Sequence, residues 1–140
     1  MNDRSKHEIT FARLSDITAD DIKAPMCDPR VAEHMPLLRS SIWDDAAVTK
    51  FVAAKEECWH RDGLGHWAIL LGGTYVGWGG FQKEGDEWDF GLVLKPEYFG
   101  LGTRITRQAL AFAVADERIP FVTKIDYDGA EFLKYRLETA

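Results

Sequence analysis

Three runs of strand-forming residues follow one another in the middle of this sequence, with only short turn signals between them. The runs span residues 66–71, 74–81 and 87–94, and they are separated by Gly72-Gly73 and by the stretch 83–86. Turns this short join antiparallel neighbours, because a parallel neighbour needs a crossover of about a dozen residues. The sequence therefore predicts a three-stranded antiparallel meander.

The middle run of the meander contains three glycines, which are unusual inside a strand. Because glycine has no side chain to pack, Gly77, Gly79 and Gly80 predict a bulge, or a ligand or another backbone packed close to the strand. The sequence alone leaves these alternatives open.

Helical patterns flank the meander on both sides. Thr18 predicts a helix N-cap, and Asp44 or Asp45 predicts the cap of a longer amphipathic helix. Gly63 lies just past the end of that second helix. After the meander, an apolar stripe at helical spacing predicts a third main helix. The stripe consists of Ile105, Ala109, Phe112 and Ala113.

Shorter patterns predict further elements towards both ends. Residues 8–14 alternate as a first strand, and residues 119–123 predict a fifth. A turn at Asp128-Gly129 predicts a closing hairpin over residues 124–137, with a two-residue loop. Residues 27–39 predict a short helical turn in an irregular connection. The fold class is therefore α/β of the α+β kind, a mixed, mainly antiparallel central sheet flanked by helices.

A glycine-containing junction connects the third run of the meander to the helix that follows. Gly100 and Gly102 let the backbone approach a ligand, and the first amides of a helix are unpaired donors at the positive end of its dipole. The junction therefore predicts an anion site, and phosphate suits it. An ordinary strand-to-helix turn has the same pattern.

Composition limits the class of protein. A chain of 140 residues, 46% of them hydrophobic, predicts a single globular domain over residues 1–140. The net charge of -6 disfavours a nucleic-acid partner and suits a cationic or amine-bearing one. Cys27 and Cys58 lack metal-binding spacing and predict reduced, packed thiols. No apolar run is long enough for a membrane partner, so we expect a cytoplasmic protein.

The order of elements and three stretches of sequence resemble the GNAT family of N-acetyltransferases over nearly the whole chain. Residues 67–70 and 75–80 are similar to the family's second and third strands, and residues 92–104 to its fourth strand and pyrophosphate loop. Within the family, the chain looks most like the branch that acetylates ribosomal-protein N-termini and related small amines. The resemblance implies an N-acetyltransferase that moves an acetyl group from acetyl-CoA to a primary amine by direct transfer.

The resemblance also implies a cofactor site built mainly from backbone atoms. A bulge in the fourth strand would direct the main-chain amides of Leu92, Val93 and Leu94 to the pantetheine arm and thioester. The loop would bind the pyrophosphate through main-chain amides, with positive charge from Arg104 and Arg107. The loop residues concerned are Gly100, Leu101, Gly102, Thr103 and Arg104.

The chain departs from the family's pattern at two places. Phe99 stands at the basic position of the loop motif and Arg104 at its final small position, so the motif is only partly met. The helix that normally follows the fifth strand has no counterpart, so either the protein lacks it or a segment is missing near residues 123–124. These departures favour an alternative function, a non-catalytic CoA-binding or assembly protein on the same scaffold.

Acetyl transfer to an amine needs a base, and the leaving thiolate needs a proton. Glu87 and Asp89 are candidate catalytic bases because alternation places them on one face of the fourth strand. His34 is a further candidate. The plain alternatives are solvated carboxylates near a turn and a structural histidine. Tyr98 and Tyr127 are candidate proton donors, although packing or surface roles are favoured for both.

Two tryptophans are candidates for substrate binding. Trp78 and Trp88 adjoin glycines or acids in the meander, and an aromatic rim with acids would attract an amine. Sheet-to-helix packing is the alternative. The histidines show no ligand spacing with carboxylates or cysteines, so we expect no metal. The terminal hairpin offers an edge for a homodimer.

Overall fold

The computed structural model describes residues 7–32, 43–85, 87–115, 124–127 and 133–134 of the chain. Its strands are β1 (Ile9–Ala12), β2 (His66–Leu71), β3 (Thr74–Glu84), β4 (Glu87–Leu94), β5 (Lys124–Tyr127) and β6 (Leu133–Lys134). Its helices are α1 (Ala19–Met26), α2 (Pro29–Ala32), α3 (Asp45–Asp62) and α4 (Gly102–Ala115). Two 3-10 turns, Leu14–Asp16 and Pro96–Leu101, precede α1 and α4.

The strands form one six-stranded sheet in the order β1-β2-β3-β4-β5-β6. Every neighbouring pair is antiparallel except β4 and β5, which are parallel. The parallel pair requires a crossover, and α4 lies within it. The mixed, mainly antiparallel sheet flanked by helices is therefore confirmed.

Local capping determines where the main helices begin and end. The Thr18 hydroxyl accepts a hydrogen bond from the N–H of Asp21 at 3.2 Å, and the Asp44 carboxylate accepts one from Ala47 at 2.8 Å. Gly63 ends α3 with a φ of 74°, a left-handed conformation that suits glycine. All three predicted helix boundaries are confirmed.

The sheet separates two apolar layers. In the first, which we call the α4 layer, Ile105, Ala109 and Ala113 of α4 pack on the sheet together with Phe90, Leu92 and Leu94 of β4. In the second, the α1/α3 layer, Ile22 and Met26 of α1 and Val48 of α3 pack on Tyr75, Trp78 and Val93. Burial of each large apolar side chain contributes about 1.5–3 kcal/mol. Side chains of β4 therefore alternate between the two layers, as its period of two requires.

The meander is longer at one end than predicted. β3 continues past Phe81 to Glu84, and the pairing of Glu84 with Glu87 leaves a two-residue connection that begins with Gly85. Gly85 has a φ of 61°, which a two-residue hairpin loop of this kind requires and which glycine adopts readily. The predicted turn over residues 83–86 is therefore corrected to a tighter hairpin.

Close contact between backbones accounts for two of the glycines in β3. A Cβ at Gly77 would lie 2.2 Å from the carbonyl oxygen of Val93, and one at Gly79 would lie 2.4 Å from that of Gly91. The register between β2 and β3 also shifts between Ile69 and Leu70, which marks the predicted bulge. Bulge and close backbone are both present, so the fold itself requires these glycines.

The C-terminal part of the sheet differs from the sequence prediction. The predicted strand over residues 119–123 lies outside the described residues, and β5 is the strand that pairs with β4. β5 and β6 form the predicted hairpin, but Ile125 pairs with Leu133. An uninterrupted hairpin with a two-residue loop at 128–129 would pair Ile125 with Phe132, so the described register differs by one residue from the predicted one. Use of this edge in a homodimer stays a prediction.

Two remaining expectations concern the surface. Cys27 is exposed and Cys58 partly exposed, and both are free thiols, so the expectation of packed thiols is wrong for Cys27. Its thiol contacts the backbone oxygen of Trp43 at 3.6 Å. Among the described helices, none combines the length and the apolar character needed to cross a membrane.

Candidate functional site

The backbone amides of β4 point alternately to β3 and to β5. The N–H of Lys95 donates to the carbonyl oxygen of Val76 on β3 at 2.8 Å, and the β3–β4 register runs without interruption from Leu94 to Glu87. In an antiparallel ladder the next residue faces the other way, so the N–H of Leu94 points to the β5 side and that of Val93 to β3. The predicted bulge in this strand is therefore absent, because β4 keeps its register throughout.

The described part of the ladder between β4 and β5 does not reach the end of β4. Its described pairs run from Asp89 with Lys124 to Leu92 with Tyr127. The outward N–H of Leu94 therefore lies beyond the last described pair, where the strand leads into the loop before α4. Of the three predicted thioester-binding amides, Leu92 lies within the ladder and Val93 faces β3. Of the three, only Leu94 has an N–H that points to the β5 side beyond the last described pair.

The predicted pyrophosphate loop is a 3-10 turn that leads directly into α4. The N–H of Gly102 donates to the carbonyl oxygen of Phe99, and the N–H of Tyr98 donates to that of Lys95 at 2.9 Å. Gly102 has a φ of -53°, an ordinary helical value. The expected row of unpaired amides is therefore interrupted at Gly102. Gly100 is exposed, and a Cβ there would meet nothing within 4 Å, so the fold does not need glycine at this position.

The side chains of this loop are directed away from a shared anion site. Phe99 is half-buried and packs against both the α4 layer and the α1/α3 layer. The guanidinium of Arg104 donates to the backbone oxygen of His7, and its expected role as a charge beside the loop stays a prediction. Leu101 packs against the α4 layer, whereas Thr103 and Arg107 are exposed on α4.

The candidate base Asp89 lies on the α1/α3 face of the sheet. It pairs across the ladder with Gln82, whose side-chain oxygen accepts a hydrogen bond from the Lys55 ammonium at 2.9 Å. The same ammonium lies 5.1 Å from the ring centre of Trp78. Asp89 is partly exposed, so its carboxylate is accessible from this face. The structure thus brings Asp89, Gln82, Lys55 and Trp78 together.

Four other predicted acid and base residues are less defined. Glu87 begins β4 and pairs with Glu84, but its side chain lies outside what the structure describes, as does that of Tyr127. His34 falls within residues 33–42, outside the described residues. Tyr98 is half-buried and packs against the α4 layer. Their catalytic roles stay predictions.

The two predicted acceptor-site tryptophans lie on opposite faces of the sheet. Trp78 is buried in the α1/α3 layer, where its indole N–H donates to the Met26 sulfur at 3.3 Å, and Trp88 is buried in the α4 layer. They therefore do not form one aromatic rim. Trp78 is the one that shares a face with Asp89.

His66 is a buried polar residue that sequence reasoning did not connect with this face. It pairs with Gly80, and its ring lies 5.3 Å from that of Trp78. Its Nδ1 atom has no hydrogen-bond partner. Burial lowers the pKa of His66 well below its usual range, and the nearby Lys55 charge lowers it further. Alternation with Ala68 on β2 is the signal that could have placed His66 on the α1/α3 face.

In the part of the chain that the structure describes, no group of three His, Cys, Asp or Glu side chains is arranged to hold a metal ion. Three residues of α3, Cys58, Arg61 and Asp62, instead line a cavity of about 390 Å³ together with Gly85 and residues from the end of β3. The expectation that the reaction needs no metal stays a prediction.

Comparison with known families identifies the class of protein that this fold and loop define. A family model described as an acetyltransferase (GNAT) domain matches residues 9–128. The chain therefore belongs to the GNAT acetyltransferase domain family. The match does not distinguish among branches of the family, so similarity to the ribosomal-protein branch stays a prediction. No curated protein matches the chain.

One solved structure supports the fold, and two others are similar to the chain to a smaller degree. A GNAT-family acetyltransferase from Bacillus anthracis superposes with a TM-score of 0.58 at 19% identity and covers 84% of this chain. This chain covers 66% of that protein, just under two thirds. An acetyltransferase from Streptococcus agalactiae 2603 gives a TM-score of 0.44 at 18% identity, and the match covers 84% of this chain and 70% of that protein. PaiA N-acetyltransferase from Thermoplasma acidophilum, in complex with coenzyme A, gives a TM-score of 0.39 at 15% identity. That match covers 76% of this chain and 69% of that protein.

The residues present fit one part of acetyl-CoA better than another. The outward N–H of Leu94, beyond the last described β4–β5 pair, suits the amide and thioester part of the molecule. The diphosphate part is poorly matched, because the N–H of Gly102 is bonded to Phe99 and the Arg104 guanidinium is bonded to His7. The fit is therefore to the thioester end.

Proposed function

We propose that this protein is an acetyl-CoA-dependent N-acetyltransferase that transfers an acetyl group directly to a primary amine. The observation that carries the proposal is the outward N–H of Leu94, which lies past the last described pair of the parallel β4–β5 ladder and at the entrance to the loop before α4. Membership of the GNAT family supports the same reaction class. A cytoplasmic location is part of this proposal.

When bound, acetyl-CoA supplies a thioester whose carbonyl carbon accepts the amine, so that a C–N bond forms as the C–S bond breaks. The N–H of Leu94 would donate to the carbonyl oxygen of that group, where negative charge develops. Asp89 lies five residues from Leu94, about 16 Å along β4, so it would take the proton that the amine must lose through a chain of water molecules. Tyr98 is the proposed proton donor to the departing sulfur.

The face that carries Asp89 supports an approach of the amine from the α1/α3 side. Gly80 of β3 pairs with Gly91 of β4, so neither strand places a side chain above the sheet at that row. His66 and Gln82 lie on the flanking positions of the same face. We propose that the acceptor approaches Asp89 along this row.

The alternative is a CoA-binding or assembly protein without catalysis. The sequence offers no counterpart to the helix that the family normally carries after its fifth strand, and Phe99 and Arg104 depart from the loop motif. These departures favour a loss of catalysis. The possible missing segment near residues 123–124 bears on the same question, and the mass of the intact protein would decide it.

Two measurements separate these functions. Thermal unfolding is followed with coenzyme A and, as a control, with 3′-phospho-ADP, which lacks the pantetheine arm; binding to the folded state raises the midpoint. Release of free thiol from acetyl-CoA is then measured with a panel of primary amines that differ in charge. We expect stabilisation by coenzyme A together with amine-dependent thiol release. Stabilisation without turnover would support the assembly alternative, and no stabilisation would contradict both.

A further inference from the structure

We propose that this protein holds its acyl donor chiefly by the pantetheine arm and thioester, and that the nucleotide diphosphate adds little to the affinity. The inference rests on the proposed function, because it concerns the donor of the same reaction. It names the donor class as thioesters of pantetheine, with or without an attached nucleotide.

One of the backbone donors expected to bind a diphosphate, the N–H of Gly102, is already used within the loop. Helix N-termini bind phosphate through N–H groups that have no partner in the helix. In the 3-10 turn, the N–H of Gly102 donates to the carbonyl oxygen of Phe99. The N–H of Tyr98 donates to the carbonyl oxygen of Lys95. A diphosphate would have to break such bonds before it could be bound at Gly102.

Positive charge is also directed away from the loop. The Arg104 guanidinium donates to the His7 carbonyl oxygen, and the Lys95 ammonium lies 5.4 Å from the ring centre of Tyr75. Glu97, an exposed residue of the turn, adds a carboxylate to a chain whose net charge is already -6. Arg107 is exposed on α4, where solvent and salt screen its charge. The phosphates of coenzyme A therefore meet little compensating charge.

The Phe99 side chain suits the pantetheine arm of the acyl donor better than its phosphates. Its ring packs against the α4 layer and the α1/α3 layer, which the sheet otherwise separates. A ring that contacts both layers lies past the end of β4, on the same side of the strand end as the loop. The family motif has a basic residue at this position, and the chain offers an apolar surface there instead. An apolar ring stabilises methylene groups by burial and does nothing for a phosphate.

The inference is tested by isothermal titration calorimetry on the full chain with two ligands, coenzyme A and pantetheine. Each is measured at low and at high sodium chloride concentration. We expect dissociation constants within about tenfold of one another, a difference of about 1.4 kcal/mol or less. We also expect the affinity for coenzyme A to change little with salt, because few charge contacts are made.

A variant and a matched control sharpen the test. Phe99→Arg restores the basic residue of the motif and should tighten coenzyme A binding about tenfold at low salt. The same change should leave pantetheine binding unchanged or weaker. Ala111→Arg adds the same charge at an exposed position further along α4 and should change neither constant.

Each outcome decides the question. Coenzyme A binding more than about tenfold tighter than pantetheine in the unaltered protein would overturn this inference and leave the proposed function standing. Absence of binding by both ligands would overturn the inference and the proposed function together. If Phe99→Arg fails to fold, the ratio of the two constants in the unaltered protein still gives the answer.

Discussion

The backbone N–H of Gly102 donates a hydrogen bond to the carbonyl oxygen of Phe99. This bond joins the 3-10 turn to the first residue of α4, so the chain passes from one helical form to the other without an open loop. It also commits a donor that an anion would otherwise use. The bonded Gly102 N–H and the apolar Phe99 side chain therefore both disfavour the binding of a diphosphate at this loop.

Replacement of Gly79 by alanine should destabilise the fold. The added Cβ would lie 2.4 Å from the carbonyl oxygen of Gly91 and 2.9 Å from the Cα of Leu92, so β3 and β4 would have to separate. We expect a loss of about 1–3 kcal/mol in the free energy of unfolding, measured in urea. Gly100→Ala is the matched control, because nothing lies within 4 Å of its Cβ, and it should stay within about 0.5 kcal/mol. Equal effects of the two changes would contradict this account.

His66 should make the protein less stable in mild acid. The unfolded side chain takes a proton near its ordinary pKa of 6.5, whereas burial lowers the pKa of His66 in the folded state, so folded protein binds fewer protons there. Stability is therefore lost as pH falls below 6.5, by about 1 kcal/mol between pH 7.5 and 5.5.

The matched variant for this effect is His66→Phe, which keeps an aromatic ring and removes the unpaired Nδ1 atom. Urea unfolding of both proteins at the two pH values isolates the contribution of His66, since all other groups are common to both. The variant should lose less stability on acidification. A loss equal to that of the unaltered protein would show that His66 is not the cause.

The N-cap of α3 should be worth about 1 kcal/mol. Asp44→Ala removes the acceptor of the Ala47 N–H bond, whereas Asp44→Asn keeps a side-chain oxygen in the same place. Denaturant unfolding should therefore show a loss for alanine and little change for asparagine. The capping assignment fails if asparagine is as destabilising as alanine.

Asp89→Asn should lower kcat/KM about 100-fold or more if Asp89 is the base. The acidic limb of the pH profile should also disappear, which a purely structural role would not produce. Glu57→Gln removes an exposed carboxylate of α3, remote from the proposed site, and should leave the profile unchanged. An Asp89→Asn enzyme that keeps both its rate and its profile would eliminate Asp89 as the base.

Local signals in the sequence predicted the framework. Thr18, Asp44 and Gly63 act through bonds to residues within one turn, and the spacing of Ile105 and Ala109 is a property of a single helix. Such features need no knowledge of distant residues, which is why they are confirmed.

Features of the site that depend on distant contacts were beyond prediction. Arg104 bonds to His7, 97 positions away, and Phe99 packs against two layers that only the folded sheet defines. The uninterrupted register of β4 likewise depends on β3. The expected bulge came from the family pattern, and the pairing with Gly77 and Gly79 overrides it.

The parallel pairing of β4 with β5 also orders events in time. The hairpin between β3 and β4 closes through two residues, whereas Asp89 meets Lys124 only after the whole of α4 has been made and docked. Contacts between distant parts of a chain form more slowly than local ones. We therefore expect the meander to exist first as a sheet with an open edge. During synthesis, the edge of β4 that carries the outward N–H of Leu94 would therefore gain its neighbouring strand only after the meander has formed.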